Sequence, residues 1–381
     1  MKFVLFYHSF CSCWNHGNAH FLRGITRELL RLGHQVIVYE PENGWSRMNA
    51  LMAGGEKALA ETAGLVPGVE IRTYADSGPD LDEALADADV VLVHEWTAPQ
   101  LIEAIGHRRI GGGRFTLLFH DTHHRVISAE SDIGNLNIEG FDGVLAFGDV
   151  LRELYVKRGW ARRAFTWHEA ADVELFRPIE GLHKDNDLAW IGNWGDGERT
   201  RELNRFLVRP VAKLGLRACV YGVRYPSTAL RVLAQNGIRY AGWLPNHQTP
   251  LAFARSRLTV HVPRRPYVEA LPGIPTIRVF EALACGIPLV CAPWRDAESL
   301  FPPGAYLRAS TTGEMARAIS NVLEDAGLAA ELVRTGLATI RSRHTCAHRV
   351  FDLLGIVKRL RAPVEPAAQP TREADERVPA P

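Results

Sequence analysis

Two successive series of alternating strand-like and helix-like runs constrain this chain more than any single motif. The first reads KFVLFY, FLRGITRELLRLG, QVIVYE, VEIRTY, ADVVLVHE and RFTLLFH. After Phe141 it continues with GVLAF, a helical stretch at DVLRELYVKRG and a short run at AFTWHEA. Strands that alternate with helices are joined by crossovers, which return each strand parallel to the last, so a parallel sheet covered by helices is expected. VELFRPIEGLHKDND, polar with Pro and Gly, reads as a crossing. The pattern then restarts with DLAWIGN, RELNRFLVRPVAKLG, LRACVYG, STALRVLAQNG, RLTVHVP, PTIRVFEALACGIP and PLVCAPW. At 381 residues the chain can hold two domains, each with its own core. The expected division is a first domain over 1–172, a second over 173–343, a helix over 344–360 and a Pro-rich, charged, disordered tail over 361–381.

Charge excludes some classes of partner. The formal net charge is +1, so nothing draws the whole chain to nucleic acid or to anionic lipid. No apolar run approaches the roughly 20 residues that span a bilayer, and MKFVLFYHSF turns polar too soon for a signal peptide. The six cysteines show no CxxC pair, which favours reduced thiols and a cytoplasmic place. A peripheral position at the inner membrane face is allowed, without a basic amphipathic stretch to support it.

In open parallel sheets ligands bind outside the carboxyl ends of the strands, so motifs that follow strands carry most weight. CSCWNHGNAH follows the first strand, and Gly17 lets a backbone approach a phosphate or sugar. Cys11, Cys13, His16 and His20 are metal-ligand types there, but their spacing matches no usual zinc pattern, and no metal site is expected. FHDTHHR concentrates His120, Asp121, His123, His124 and Arg125 after a strand, where an imidazole can bond a sugar hydroxyl or move a proton. A loop capped by Asp121 with solvent-facing histidines is the plainer alternative. GNWGDGERTRE, with Gly192, Asn193, Gly195 and Gly197, is a second loop able to turn N–H groups on an anion, with Arg199 in reach. Arg264 and Arg265 follow RLTVHVP and suit a diphosphate through paired donors; a solvated surface is the alternative for each arginine. Trp243 and LPNHQ could meet a base, or Trp243 could be core. Neither GxGxxG nor GKS/T is present, which removes the main support for nicotinamide and Walker readings.

PTIRVFEALACGIP reads as a helix opening at Pro275 and stopped by Gly286 and Pro288. The helix start at Pro275, Thr276 and Ile277, with its free N–H groups beyond the proline, forms a natural phosphate site. Glu281, about 9 Å further along the axis, can accept hydrogen bonds from ribose hydroxyls. An amphipathic core helix with Glu281 at its solvated border is the competing reading.

HGNAHFLRGITRELLRLGHQVIVYEP, VLAFGDVLRELYVKRGW, HEAADVELFRP and IRVFEALACGIPLV together resemble the group 1 glycosyltransferases, especially the divergent branch that includes spore-maturation-type glycosyltransferases. The likeness covers most of the chain. It implies a GT-B fold, in which two Rossmann-like domains face across a cleft and the second binds a nucleotide-sugar donor such as a UDP- or GDP-sugar. It also implies transfer to an acceptor (glycan, lipid-linked or small molecule) with retained anomeric configuration, helix N–H groups and arginines replacing a metal at the leaving phosphate. In the resemblance Glu281 is the ribose glutamate and Pro275 to Ile277 the diphosphate-binding helix start. His120 with Asp121 is the pair whose histidine contacts the donor sugar, and Gly17 faces the transferred sugar. The pattern departs at Gly273, where many relatives have a glutamate for the donor sugar; Glu269 is out of register. A sugar-nucleotide 2-epimerase and a silent carbohydrate-binding protein are the other functions such a chain supports.

Overall fold

The computed structural model describes residues 1–195 and 197–362. The expected tail, apart from its first two residues, lies outside them. The first sheet holds seven parallel strands: β1 (Lys2–Phe6), β2 (Gln35–Pro41), β3 (Glu70–Tyr74), β4 (Val90–His94), β5 (Thr116–Asp121), β6 (Gly143–Ala146) and β7 (Ala164–Thr166), in the order β3-β2-β1-β4-β5-β6-β7. The second holds β8 (Asn186–Ile191), β9 (Ala218–Tyr221), β10 (Arg239–Tyr240), β11 (Ser256–His261), β12 (Leu289–Cys291) and β13 (Leu307–Arg308), in the order β10-β9-β8-β11-β12-β13. Every residue of β4 and β5 is buried, as a parallel strand covered on both faces requires. Each sheet reverses its strand order once, between β1 and β4 and between β8 and β11. The crevice at such a reversal is where this architecture binds ligands, and the two crevices open onto the same interdomain space.

Four helices position that space: α1 (Ala19–Arg31), α2 (Asp149–Lys157), α3 (Ile277–Ala284) and α4 (Cys346–Arg361). The sequence places the start of α3 at Pro275, and the structure moves it. Thr276 is the N-cap with extended backbone (ψ 158°), and its Oγ1 lies 3.0 Å from His261 Nε2. Ile274 is buried against Gly148 of the first domain, so the chain stays extended until Thr276, a better cap residue than the Ile274 that a Pro275 start would need. At the other end the stop falls where expected, with Gly286 left-handed at φ +65°.

α4 returns to the first domain and packs on α1 at Gly24, where a Cβ would collide with Cys346 Sγ. Trp167 Nε1 donates to Arg349 O (2.8 Å) and Arg361 Nε to Thr116 Oγ1 (3.0 Å), tying the same helix to β7 and β5. One apolar core is continuous from Phe3, Leu5 and Phe21 through Trp167 and Phe176 to Phe280 and Leu353. The domains are also latched by polar contacts: Asp149 N–H donates to Glu298 Oε1 (2.9 Å), and His168 Nε2 lies 2.6 Å from Glu298 Oε2. All six cysteines are free and buried. Among the described residues no helix is long and apolar enough to cross a membrane.

Candidate active site

Between the domains lies a cavity walled on one side by Asn15, His16, Gly17, Asn18, Trp96, Thr122, His123 and Glu169. Its other wall is Gly192, Asn193, Arg199, Trp243, Leu244, Asn246, Arg264, Thr276, Ile277 and Arg278. Gly17 meets α3 directly: a Cβ there would lie 3.0 Å from Ile277 Cγ2. Its carbonyl accepts from Asn246 Nδ2 (2.8 Å), and Asn193 Nδ2 bonds Asn15 Oδ1, so loops of both domains are pinned across the cavity.

Positive charge gathers on the second-domain wall. Arg199 donates to the carbonyls of Asn193 and Val262 (3.1 Å each) and lies over the Trp190 ring. Burial, then the nearby Arg264 guanidinium, pushes its pKa down to about 9. Arg264 pairs with Glu198 and Arg278 with Glu281. His261, behind them, is held neutral with a pKa lowered to about 3, by burial first and by Arg199 and Arg278 second. A buried guanidinium bonded to carbonyls, with two further arginines close by, favours an anion in the same space. The open amides at the start of α3 face it as well.

Among the residues singled out from sequence, the cavity gathers Gly17, Gly192, Asn193, Arg199, Arg264, Thr276 and Ile277, together with Cys13, His16, His123, Trp243, Leu244 and Asn246. Arg265, Pro275, His120, Asp121 and Glu281 stand elsewhere. Arg265 turns outward, bonding Glu198 O (2.8 Å) and Gly197 O. Pro275 is buried behind the cap. β5 runs through Asp121, so His120 and Asp121 lie within the sheet instead of in the loop beyond it. His120 is fully buried, its ring 4.8 Å from that of Trp167, and burial lowers its pKa to about 3. Asp121 accepts from Tyr155 Oη (2.7 Å) and from His123 N–H (3.0 Å), and burial raises its pKa to about 6. The wall at this strand end is Thr122 and His123.

Glu281 is also fully buried, not at a solvated border. One carboxylate oxygen pairs with Arg278; the other lies 2.9 Å from His20 Nδ1 of the first domain without hydrogen-bond alignment. Glu281 therefore stands behind the cavity, holding the arginine that lines it. Arg278 was missed from sequence, although its place three residues before Glu281 on one helix face was a visible signal. Glu169 was missed too: it is buried on the cavity wall with one oxygen unpartnered, and burial, then Glu281, raises its pKa well above the carboxylate range. The departure at Gly273 has a structural reason. Its φ is +91°, and a Cβ would lie 2.9 Å from Glu298 Oε1, so the interdomain latch occupies the space a glutamate would need.

Residues 199–355 match the family model described as glycosyl transferase-like. No curated protein matches the sequence. Solved structures with the same fold include sucrose-phosphate synthase from Thermosynechococcus elongatus (TM-score 0.66, 14% identity, covering 94% of this chain and 99% of that one). HepE of Anabaena, in complex with UDP and glucose, is similar at TM-score 0.66 and 14% identity over 94% of this chain and 100% of that one. A structure from E. coli described as trehalose-6-phosphate bound with UDP-2-fluoro glucose gives TM-score 0.63 and 11% identity over 94% of this chain and 99% of that one. Two parallel-sheet domains facing across a cleft make this a GT-B glycosyltransferase fold, and the glycosyl transferase-like family model matches most of the second domain.

Proposed function

We propose that this chain is a nucleotide-sugar-dependent glycosyltransferase of the group 1 type, in the divergent branch that includes spore-maturation-type enzymes. The convergence of Arg199, Arg264, Arg278 and the open start of α3 on one interdomain cavity carries the reading. The donor diphosphate rests on the amides of Ile277 and Arg278, with the three arginines taking up charge as the sugar leaves, so no metal is needed at the diphosphate. UDP is the favoured nucleotide, because the similar HepE structure holds it. The base lies toward Trp243 and Leu244, and Gly192 with Asn193 closes the phosphate side. Gly17 faces the transferred sugar. Glu281 governs ribose and diphosphate through Arg278, and Pro275 fixes the approach to the cap. His120 and Asp121 position the Thr122–His123 wall, Asp121 through its bond to the His123 amide. Arg265 steadies the Gly197–Glu198 loop beside Arg264. Retention follows if donor departure and acceptor attack share one face of the sugar.

Calorimetry with UDP-, GDP- and dTDP-sugars, followed by a hydrolysis assay on those that bind, tests the proposal. Binding of at least one donor with slow release of free sugar is the expected result. Silence across the panel would overturn it, and conversion of a donor to its epimer would replace transfer with epimerisation.

A further inference from the structure

We propose that His8, His16 and His94 form a binding site for one divalent transition-metal ion of the zinc class, on the first-domain side of the cleft. They come from three places that the parallel sheet brings together: His8 just past β1, His16 in the loop before α1, and His94 at the end of β4. One nitrogen of each lies within 4.8 Å of one nitrogen of the others. The rings sit at centroid distances of 4.3 Å (His8–His16), 5.0 Å (His8–His94) and 5.8 Å (His16–His94).

The nitrogens are unspent. His8 Nδ1 and both nitrogens of His16 are buried without a hydrogen-bond partner. Leaving such groups unpaired is costly, and three convergent imidazoles with free lone pairs suit zinc and its neighbours better than any oxygen-seeking cation. His94 supplies the orienting contact such sites use. Its Nε2 lies 3.1 Å from Thr122 Oγ1, and with the proton on that nitrogen, Nδ1 keeps a lone pair facing only the distant Trp96 amide (3.4 Å). Two cations oppose a metal there: Arg125 near His8, offset by Glu95 at 3.5 Å and Asp132 at 3.7 Å, and the buried Arg23 near His16.

The site differs from the Cys11, Cys13, His16 and His20 set, whose sequence spacing fits no zinc pattern; only His16 is common to both. Three protein ligands leave a coordination position open. His8 and His16 line a second cavity of about 820 Å³, which shares Asn15, Trp96, His123 and Arg264 with the donor cavity. On the glycosyltransferase reading, on which this last step rests, the open position would hold and polarise an acceptor oxygen, while the diphosphate stays on its arginines.

The test uses the full chain, free of any affinity tag and stripped by chelation, titrated with Co²⁺ and with Zn²⁺. One equivalent of Co²⁺ should bind, with the visible absorption of a four-coordinate site and no thiolate charge-transfer band. His94→Gln and His16→Gln should each weaken binding by more than about tenfold, and Thr122→Val by about tenfold. Cys13→Ser should change nothing. Failure of the wild-type chain to bind either ion would overturn the site, as would full affinity in a folded His16→Gln/His94→Gln double variant. Metal binding is read without donor or acceptor, so its failure is distinguishable from failure of the glycosyltransferase reading.

Discussion

Glu281→Gln separates a structural role from a binding role most directly. The side chain is fully buried, with one oxygen on Arg278 and the other 2.9 Å from His20 Nδ1. Alanine would add a cavity to the loss of charge, whereas glutamine keeps the shape and one acceptor oxygen. A hydrogen bond to a charged group contributes about 1.5–3 kcal/mol and a neutral one about 1 kcal/mol, so the exchange should cost about 1–2 kcal/mol. For a domain of this size that lowers Tm by about 2–8 °C. Arg278, released from its partner, should also lose its aim at the cavity, and UDP affinity should fall at least tenfold, or about 1.4 kcal/mol. Differential scanning fluorimetry and calorimetry with UDP read the two effects on one sample. An unchanged Tm would refute the buried pair as described. A lowered Tm with unchanged UDP affinity would refute the link from Glu281 through Arg278 to the diphosphate.

Three further outcomes follow from particular contacts. Gly17→Ala should reduce UDP-sugar affinity about tenfold with a stability change below about 1 kcal/mol, because the new methyl meets only Ile277 Cγ2 at 3.0 Å; unchanged affinity would remove Gly17 from the donor path. Gly148→Ala places a methyl 2.9 Å from Ile274 Cδ1 across the domain interface, so it should cost about 1–3 kcal/mol and open the particle in small-angle scattering; identical curves and melting would contradict the interface. Stability should fall as pH drops below about 6.5. Burial holds His120, His261 and His344 down to about 3, so between those values the unfolded chain binds more protons than the folded one, at up to about 1.4 kcal/mol per pH unit for each histidine. Asp121, raised to about 6, and the buried Glu40, Glu95 and Glu169, also raised, work the other way, but they are outnumbered, because burial also lowers His8, His16, His94, His123 and His124. Urea midpoints at pH 5 and pH 7.5 check the sign, and equal midpoints would refute it.

The two α/β halves were legible because strand and helix periodicities are local properties, written in runs such as VVLVH and TLLFHD that must be buried on both faces. The Gly286 stop and the glycine-bearing loops after β1 and β8 were legible for the same reason: backbone freedom belongs to the residue itself. What faces the cavity was not. One added residue in β5 takes Asp121 into the sheet, leaving Thr122 and His123 at the wall. A helix face shows that Arg278 and Glu281 are neighbours, but only the first domain, arriving with His20 and Gly17, decides that the arginine is presented and the glutamate enclosed. The arrival of His94 beside His8 and His16, and the Glu298 latch, join residues tens of positions or more apart, a proximity that strand order and domain packing create and no local spacing encodes.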